Sequence, residues 1–441
     1  VVRGKRPVIL GAGITGLAAG YASGLPVFEA ADWPGGICSS YYMPPGGIER
    51  LHRVPEDAEA YRFEIGGGHW IFGGDPLVLH FIRSLTPVKS YERRSAVYLP
   101  EKELLVPYPL QNHLRYLGPG LARQALEEIA SGQRTVAKVA TMADWLRFTF
   151  GPTLCELFFD PFHELYTAGL YREIAPQDSY KTPIELSLVV RGAFEDVPSV
   201  GYNVKFVYPE QGLNILVQRM SDRCDVRYRK RAVRIDLDGR EVYFEDGTSL
   251  GYSELVSTIP LNRLTEMTGL DLGEPADPAT SVLVLNIGAV RGPRCPSEHW
   301  LYIPRSRAGF HRVGFYSNVD SSFLPGSARA RGDRVSVYVE KSYRQGTRLD
   351  TSQIAELCQE VIQELQDWAW IREVDVVDTT WIDVAYTWSW PGSKWRNKAL
   401  AALAQRSIYS IGRYGSWCFQ GIADSLKEGL TAGVMMAERD P

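Results

Sequence analysis

Val8-Ile9-Leu10-Gly11-Ala12-Gly13-Ile14-Thr15-Gly16-Leu17-Ala18-Ala19-Gly20, followed by Val27-Phe28-Glu29, is the stretch that decides the fold. A short apolar run leads into a glycine-rich turn and a small-residue helical stretch. A second apolar run then ends in an acid. Gly11 permits the tight turn, Gly13 lets the backbone approach a pyrophosphate, and Gly16 lets the helix pack close to the strand. The helix start, with Ile14 and Thr15 in its first turn, presents free N–H groups to phosphate. Glu29, eighteen residues after Gly11, can accept from a ribose hydroxyl. The competing reading is a glycine-rich turn that binds nothing; the order strand, turn, helix, strand, acid argues for a dinucleotide.

The 441 residues are enough for two or three domains. The hydrophobic share of 45% and charged share of 23% are those of a globular protein. A net charge of −4 carries no nucleic-acid signature. No apolar run approaches the roughly twenty residues that span a bilayer, and the first apolar segment is the dinucleotide strand rather than a leader. A cytoplasmic enzyme is therefore expected. The six cysteines are scattered with no CxxC, which points to reduced thiols. No HExxH, no close Cys/His set and no GxSxG elbow is present, so neither a metal site nor a serine hydrolase is expected.

Outward from the opening unit, Gly35-Gly36 lies just beyond the acid and suits a second close approach to the cofactor. Gly66-Gly67-Gly68-His69 suggests backbone pressed against a flat ring. From Gln111 to about Tyr166 the apolar spacing is helical. Arg231 to Leu250 reads as a hairpin with Asp238-Gly239 at its turn. Residues 281–345 alternate like an antiparallel sheet, 352–369 form an amphipathic helix, and Ser407 to Ile411 is a returning strand before a last small-residue helix.

Four motifs occur in the order found in the UDP-galactopyranose mutases: the amino-terminal fingerprint, Gly-Gly-His-Trp-Ile-Phe at 67–72, Val-Pro-Tyr-Pro-Leu-Gln at 106–111 and Gly-Arg-Tyr-Gly-Ser-Trp at 412–417. The chain resembles the eukaryotic branch of that family, which has a flavin amine-oxidase-like fold. The resemblance implies an α/β protein with a Rossmann-like FAD-binding domain, an inserted helical domain and a mostly antiparallel β-sheet domain. The expected division is 1–87, 205–280 and 400–441 for FAD, 110–182 for the helical domain, and 88–109, 183–204 and 281–399 for the sheet and substrate. The cofactor is FAD, active when reduced. The family's reaction interconverts pyranose and furanose forms of a nucleotide sugar through attack of reduced flavin N5 on the anomeric carbon. The expected partners are a nucleotide sugar and an external reductant such as NAD(P)H, with no nucleic acid and no membrane.

Carried over residue by residue, the resemblance places His69 against the flavin, and Arg312 and Arg413 at the substrate diphosphate. These three are the catalytic candidates. Gly67, Gly68, Val233, Gly412, Gly421, Asp424 and Ser425 join the fingerprint residues at the cofactor. Arg94, Gln111, Asn203, Trp300 and Tyr302 fall near the substrate, and Phe158, Phe162 and His163 where the family builds its nucleobase pocket. Trp300 and Tyr302, two apart on a strand, share one face. Three positions depart from the family. Two tyrosines that donate to the diphosphate are here Trp390 and Phe419, and a clamp arginine is replaced by Thr182 with Lys181 beside it. Phe offers no hydroxyl, Trp only an indole N–H, and Lys a point charge in place of a fork. These losses leave two other functions open: a flavin oxidoreductase of the amine-oxidase or desaturase type acting on a small molecule, and a non-catalytic binding protein.

Overall fold

The computed structural model describes residues 5–132, 139–177, 184–201 and 203–437. Strand Arg6–Leu10 is the centre of a seven-stranded sheet. Its parallel part runs Val226–Arg227, Val27–Phe28, Arg6–Leu10, Ser249–Ser257, Ile408–Ser410. Val8, Ile9 and Leu10 are all buried, as suits a parallel strand covered on both faces. The hairpin expected around Asp238-Gly239 forms as Ala232–Asp236 and Glu241–Phe244, and extends the sheet antiparallel onto Ser249. Helix Ile14–Ser23 leaves the glycine turn and helix Ile422–Ala437 crosses it. Gly16 has the role its position suggests: a Cβ there would stand 1.9 Å from the Gly11 carbonyl oxygen.

A second seven-stranded sheet has the order Ile371–Thr387, Ala279–Arg291, Arg334–Arg344, Arg312–Phe315, Trp300–Tyr302, Ser95–Leu99, Leu104–Pro107. All of its pairs are antiparallel except Trp300–Tyr302 with Ser95–Leu99. Helix Thr351–Asp367 starts at a capping box between Asp350 and Gln353 and buries Leu357, Val361 and Leu365 against Leu283, Leu285 and Val337 of one sheet face. The period of two turns the intervening residues to the opposite face, which carries the site.

Helices Pro119–Gly132, Met142–Leu154 and Asp160–Tyr166 pack on the far edge of this sheet around Val97, Leu99 and Val106. The last two helices are joined by a π-helical turn, Cys155–Phe159. Such wide turns recur at functional sites because they re-aim the side chains that follow.

One expected boundary needs correcting. Val88–Glu92 does not join the large sheet. It pairs with Lys205–Pro209, which also pairs Ile71–Phe72, in a separate three-stranded sheet. Segments 88–109 and 205–280 are thus each split between sheets. The seventeen-residue strand Ile371–Thr387 lies within the segment 281–399 expected for the sheet, although no strand pattern is read there from the sequence. Its alternation is broken by Asp375, Asp378 and Asp383. The first two accept from the buried phenols Tyr61 and Tyr41 and from Arg334 and Arg50.

Gly16→Ala is expected to destabilise the protein by about 2 kcal/mol and to release flavin, because overpacking forces helix and strand apart. Thermal unfolding and the flavin absorbance retained after gel filtration check it.

Candidate active site

The carboxyl ends of the parallel strands open into one cavity of about 500 Å³ that runs from Glu29 to the helical unit. At the first end, the Glu29 carboxylate accepts from the Ala12 N–H at 2.6 Å and the Ala31 N–H at 2.8 Å, and it lines the cavity with Gly11, Gly13, Gly35 and Gly36. A Cβ at Gly13 would meet no protein atom within 4 Å, so that backbone faces the cavity directly at the start of helix Ile14–Ser23. Backbone N–H groups and the helix dipole there suit a pyrophosphate, and a carboxylate fixed by two amides suits a ribose. Ile14, Thr15, Gly412, Gly421 and Ser425 border the same space. The cradle fits a dinucleotide.

Midway along, the His69 loop crosses the large sheet. Gly68 lies so close to it that a Cβ would stand 2.1 Å from the Tyr338 phenol oxygen. A Cβ at Gly67, which does not reach the cavity itself, would meet Glu340. His69 lines the cavity, and its Nδ1 has no hydrogen-bond partner among the described residues. Burial, with the nearby Arg413 charge, pulls its imidazole down to about 4, so it is a neutral ring at physiological pH.

Opposite the loop, register builds a polar row. Tyr302 stands across from Arg312, and Arg312 across from Glu340. Arg312 Nη2 donates to Glu340 Oε1 at 2.6 Å and also to Oε2, while the Tyr386 hydroxyl lies 3.3 Å from Oε2. His311 Nε2 is 3.6 Å from the same oxygen. Burial alone would raise the Glu340 carboxyl; Arg312 and His311 outweigh it and hold the group well below the usual carboxylate range. Arg413 reaches the cavity from the turn after strand Ile408–Ser410, with its guanidinium 4.7 Å from the centre of the Phe419 ring and 5.9 Å from that of Tyr386. Trp300 Nε1 donates to the Tyr302 hydroxyl at 3.2 Å, and both rings face the cavity.

The far end is aromatic. Phe158 and Phe162 stack at 5.2 Å, and Phe162 and Tyr166 at 5.5 Å. His163 Nδ1 lies 2.7 Å from Phe159 O, four residues back on the same helical path, and burial lowers its imidazole to about 4. A neutral ring there donates through Nδ1 and leaves Nε2 as an acceptor.

Several expected residues lie elsewhere. Arg94 turns outward, donating to the carbonyls of Ser297 and Asn318, because adjacent strand-end residues point to opposite faces. Its neighbour Arg93 is the buried one, and it takes the side-chain oxygen of Asn203, which does line the cavity. Gln111 is buried behind the cavity wall, and Val233 is 47% exposed on the hairpin. Asp424 accepts from the Gly421 N–H and so caps the last helix. Trp390 sends its indole N–H to the Ala276 carbonyl; Trp388 is the tryptophan that borders the cavity. Gly16 packs behind the turn. Lys181 and Thr182 lie outside the described residues. Among the residues missed are Glu340, His311, Tyr338, Tyr386, Trp388 and Cys38. A glutamate inside the apolar strand 335–343 was the one signal available for the first of them.

A flavin-containing amine oxidoreductase family model matches residues 18–432. The chain belongs to that family. Its cofactor is FAD, and the Glu29–Gly13 cradle could hold a ribose and a pyrophosphate. A reduced UDP-galactopyranose mutase structure is similar at TM-score 0.82 and 22% identity, covering 97% of this chain and 93% of its own. A putative protoporphyrinogen oxidase from Exiguobacterium sp. 255-15 matches at TM-score 0.69 and 15% identity over the whole of both chains. A putrescine oxidase variant matches at 0.55 and 15%, covering 99% of each chain. At these identities the likeness is one of fold. No helix among the described residues is long and apolar enough to cross a membrane.

Two outcomes follow from this geometry. Glu29→Ala is expected to lose most bound FAD, since it removes the ribose acceptor and frees the Ala12 and Ala31 amides; released flavin fluorescence measures it. His163 is held neutral down to about 4 whereas a free histidine protonates near 6.5. The unfolded chain therefore takes up the proton first, and this histidine's contribution to stability is complete above about pH 6.5 and is lost as pH falls toward 4. Thermal denaturation of His163→Gln is expected to show a shallower loss over that window than the parent protein.

Proposed function

We propose that the protein is a flavin-dependent mutase that interconverts pyranose and furanose forms of a nucleotide sugar. The observation that carries the reading is the convergence of Arg312 and Arg413, from separate sheets, on one cavity between the His69 loop and the stacked rings of Phe158 and Phe162. Bound FAD, when reduced, supplies the nucleophile that the anomeric carbon requires. The chain's own residues do the rest by position and charge. The two guanidinium groups counter the charge of a departing diphosphate, in a wall of aromatic rings that keeps the local dielectric low. The aromatic end accepts a planar base by stacking. Neutral His69 can hydrogen-bond a ligand without adding a charge. Tyr302 and Tyr386 supply phenols beside Arg312, hydroxyls that Phe419 does not offer.

A second reading, an oxidoreductase of the amine-oxidase type, is favoured by one feature. The Trp390 indole N–H is committed to a backbone carbonyl, and Glu340 already neutralises Arg312, so phosphate donors are fewer than the cavity's outline suggests.

The test is a panel of nucleotide hexoses incubated with the holoenzyme, with and without dithionite, and ring form followed by NMR. Furanose formed only in reduced samples is the expected result. Substrate-driven bleaching of oxidised flavin by amines or alcohols, with no ring conversion, would establish the second reading. Arg413→Gln should lower kcat/KM for the mutase reaction about a hundredfold, the scale seen when one preorganised donor to developing charge is removed.

A further inference from the structure

Arg312 presents itself to the cavity already matched by an acid. Glu340 is 1% exposed, stands directly across the strand pair from Arg312, and lines the same cavity. Both of its oxygens accept from one amino group, Nη2, while Arg312 Nε–H has no partner among the described residues. A guanidinium has five N–H donors in a fork, so this pairing leaves donor capacity for a second anion. The row is closed by Tyr302, Tyr386 and Tyr338; His311 and His69 are neutral at physiological pH, which leaves Arg413, beside Tyr386, as the other charge facing that anion.

We propose that Glu340 is a specificity-determining residue: it neutralises Arg312 in the free enzyme, and the phosphate of a substrate has to share that guanidinium with it. The inference rests on the proposed function, since it takes Arg312 to be the anion-binding group. Its physical content is a charge count. An arginine facing a cavity alone attracts any anion strongly in a low dielectric. The same arginine with a carboxylate fixed on it attracts weakly at a distance and rewards only a ligand that fits the remaining donors. The carboxylate therefore trades affinity for discrimination: free phosphate and pyrophosphate are held only weakly, and a nucleotide anchored by its base is accepted. It also fixes the sign for the opposite class of ligand. A cationic amine would be drawn by Glu340 and would lose by its removal.

The experiment titrates the holoenzyme with UDP and with inorganic pyrophosphate as probes, reading the flavin absorbance change at constant ionic strength. Glu340→Gln keeps an oxygen for Arg312 Nη2 but removes the charge. It is expected to bind both probes at least tenfold more tightly, with the larger gain for pyrophosphate, which has no base to anchor it. Glu340→Ser removes the charge by a different side chain and is expected to move affinity the same way, which covers failure of either variant to fold. Adding Arg312→Gln to Glu340→Gln should abolish the gain. A merely structural acid would give the opposite sign, because losing it would disorder Arg312 and weaken binding. Unchanged or weaker UDP binding in a folded, flavin-loaded variant overturns the inference and leaves the nucleotide reading intact, provided that the parent protein binds UDP. Absence of UDP and pyrophosphate binding in parent and variants alike overturns both.

Discussion

Helix Ile422–Ala437 crosses helix Ile14–Ser23 so closely that a Cβ at Gly429 would stand 2.2 Å from the Thr15 carbonyl oxygen, and one at Gly433 2.4 Å from that of Ala19. This contact joins the two ends of the chain, and the site depends on it. It runs the two helices parallel, with Gly429 against the first turn of helix Ile14–Ser23 and the start of each helix bordering the cavity. It also holds Gly412 against Thr15, where a Cβ would meet the hydroxyl at 2.8 Å, and so fixes the turn that carries Arg413. The cradle is completed from within the chain by Val27–Phe28, Val226–Arg227 and Ser249–Ser257, which join Arg6–Leu10 in one sheet. The large sheet is placed against it by buried polar contacts: Asn286 donates to the Glu64 carbonyl, and Tyr41 and Tyr61 donate to acids on strand Ile371–Thr387.

The cavity's two walls handle charge differently. On the cradle side, negative charge is met by backbone N–H groups, which cost nothing to keep buried because a bound phosphate or the Glu29 carboxylate satisfies them. On the sheet side, charge is met by side chains, and a buried guanidinium without a partner is strongly unfavourable. Glu340 resolves that cost in the absence of substrate. The pair stays ionised because each partner's desolvation is offset by the other, with the Tyr386 hydroxyl donating to Glu340 Oε2 at 3.3 Å.

The opening strand, turn, helix and acid were legible because each role there belongs to a residue type at a fixed offset: a glycine where helix and strand touch, an acid at the end of the second strand. The hairpin at Asp238-Gly239, the alternation after 281 and the helix at Thr351–Asp367 were legible for the same local reason. Strand Ile371–Thr387 was not. Asp375, Asp378 and Asp383 interrupt its alternation, although the first two are half-buried and accept hydrogen bonds from Tyr61 and Tyr41, hundreds of residues away in the chain. Periodicity registers which face is apolar and cannot register a polar residue whose partner comes from elsewhere.

The same distinction explains the site. Cofactor recognition is made largely by backbone, and backbone geometry leaves a signature in glycine positions. The reacting end is made by side chains brought together by register: Tyr302, Arg312 and Glu340 form a row although Arg312 and Glu340 are 28 residues apart. No local pattern states that strand Arg312–Phe315 pairs with Arg334–Arg344 in that register rather than one shifted by two. A shift of that size would keep every apolar residue on its face and still separate the guanidinium from its carboxylate. Arg93 and Arg94 make the point at the smallest scale. They are adjacent and identical in type, yet one is buried on Asn203 and the other faces solvent. What decides between them is the direction of one strand end, a tertiary fact. The functional residues that sequence reasoning missed are therefore those whose chemistry depends on a partner across a sheet.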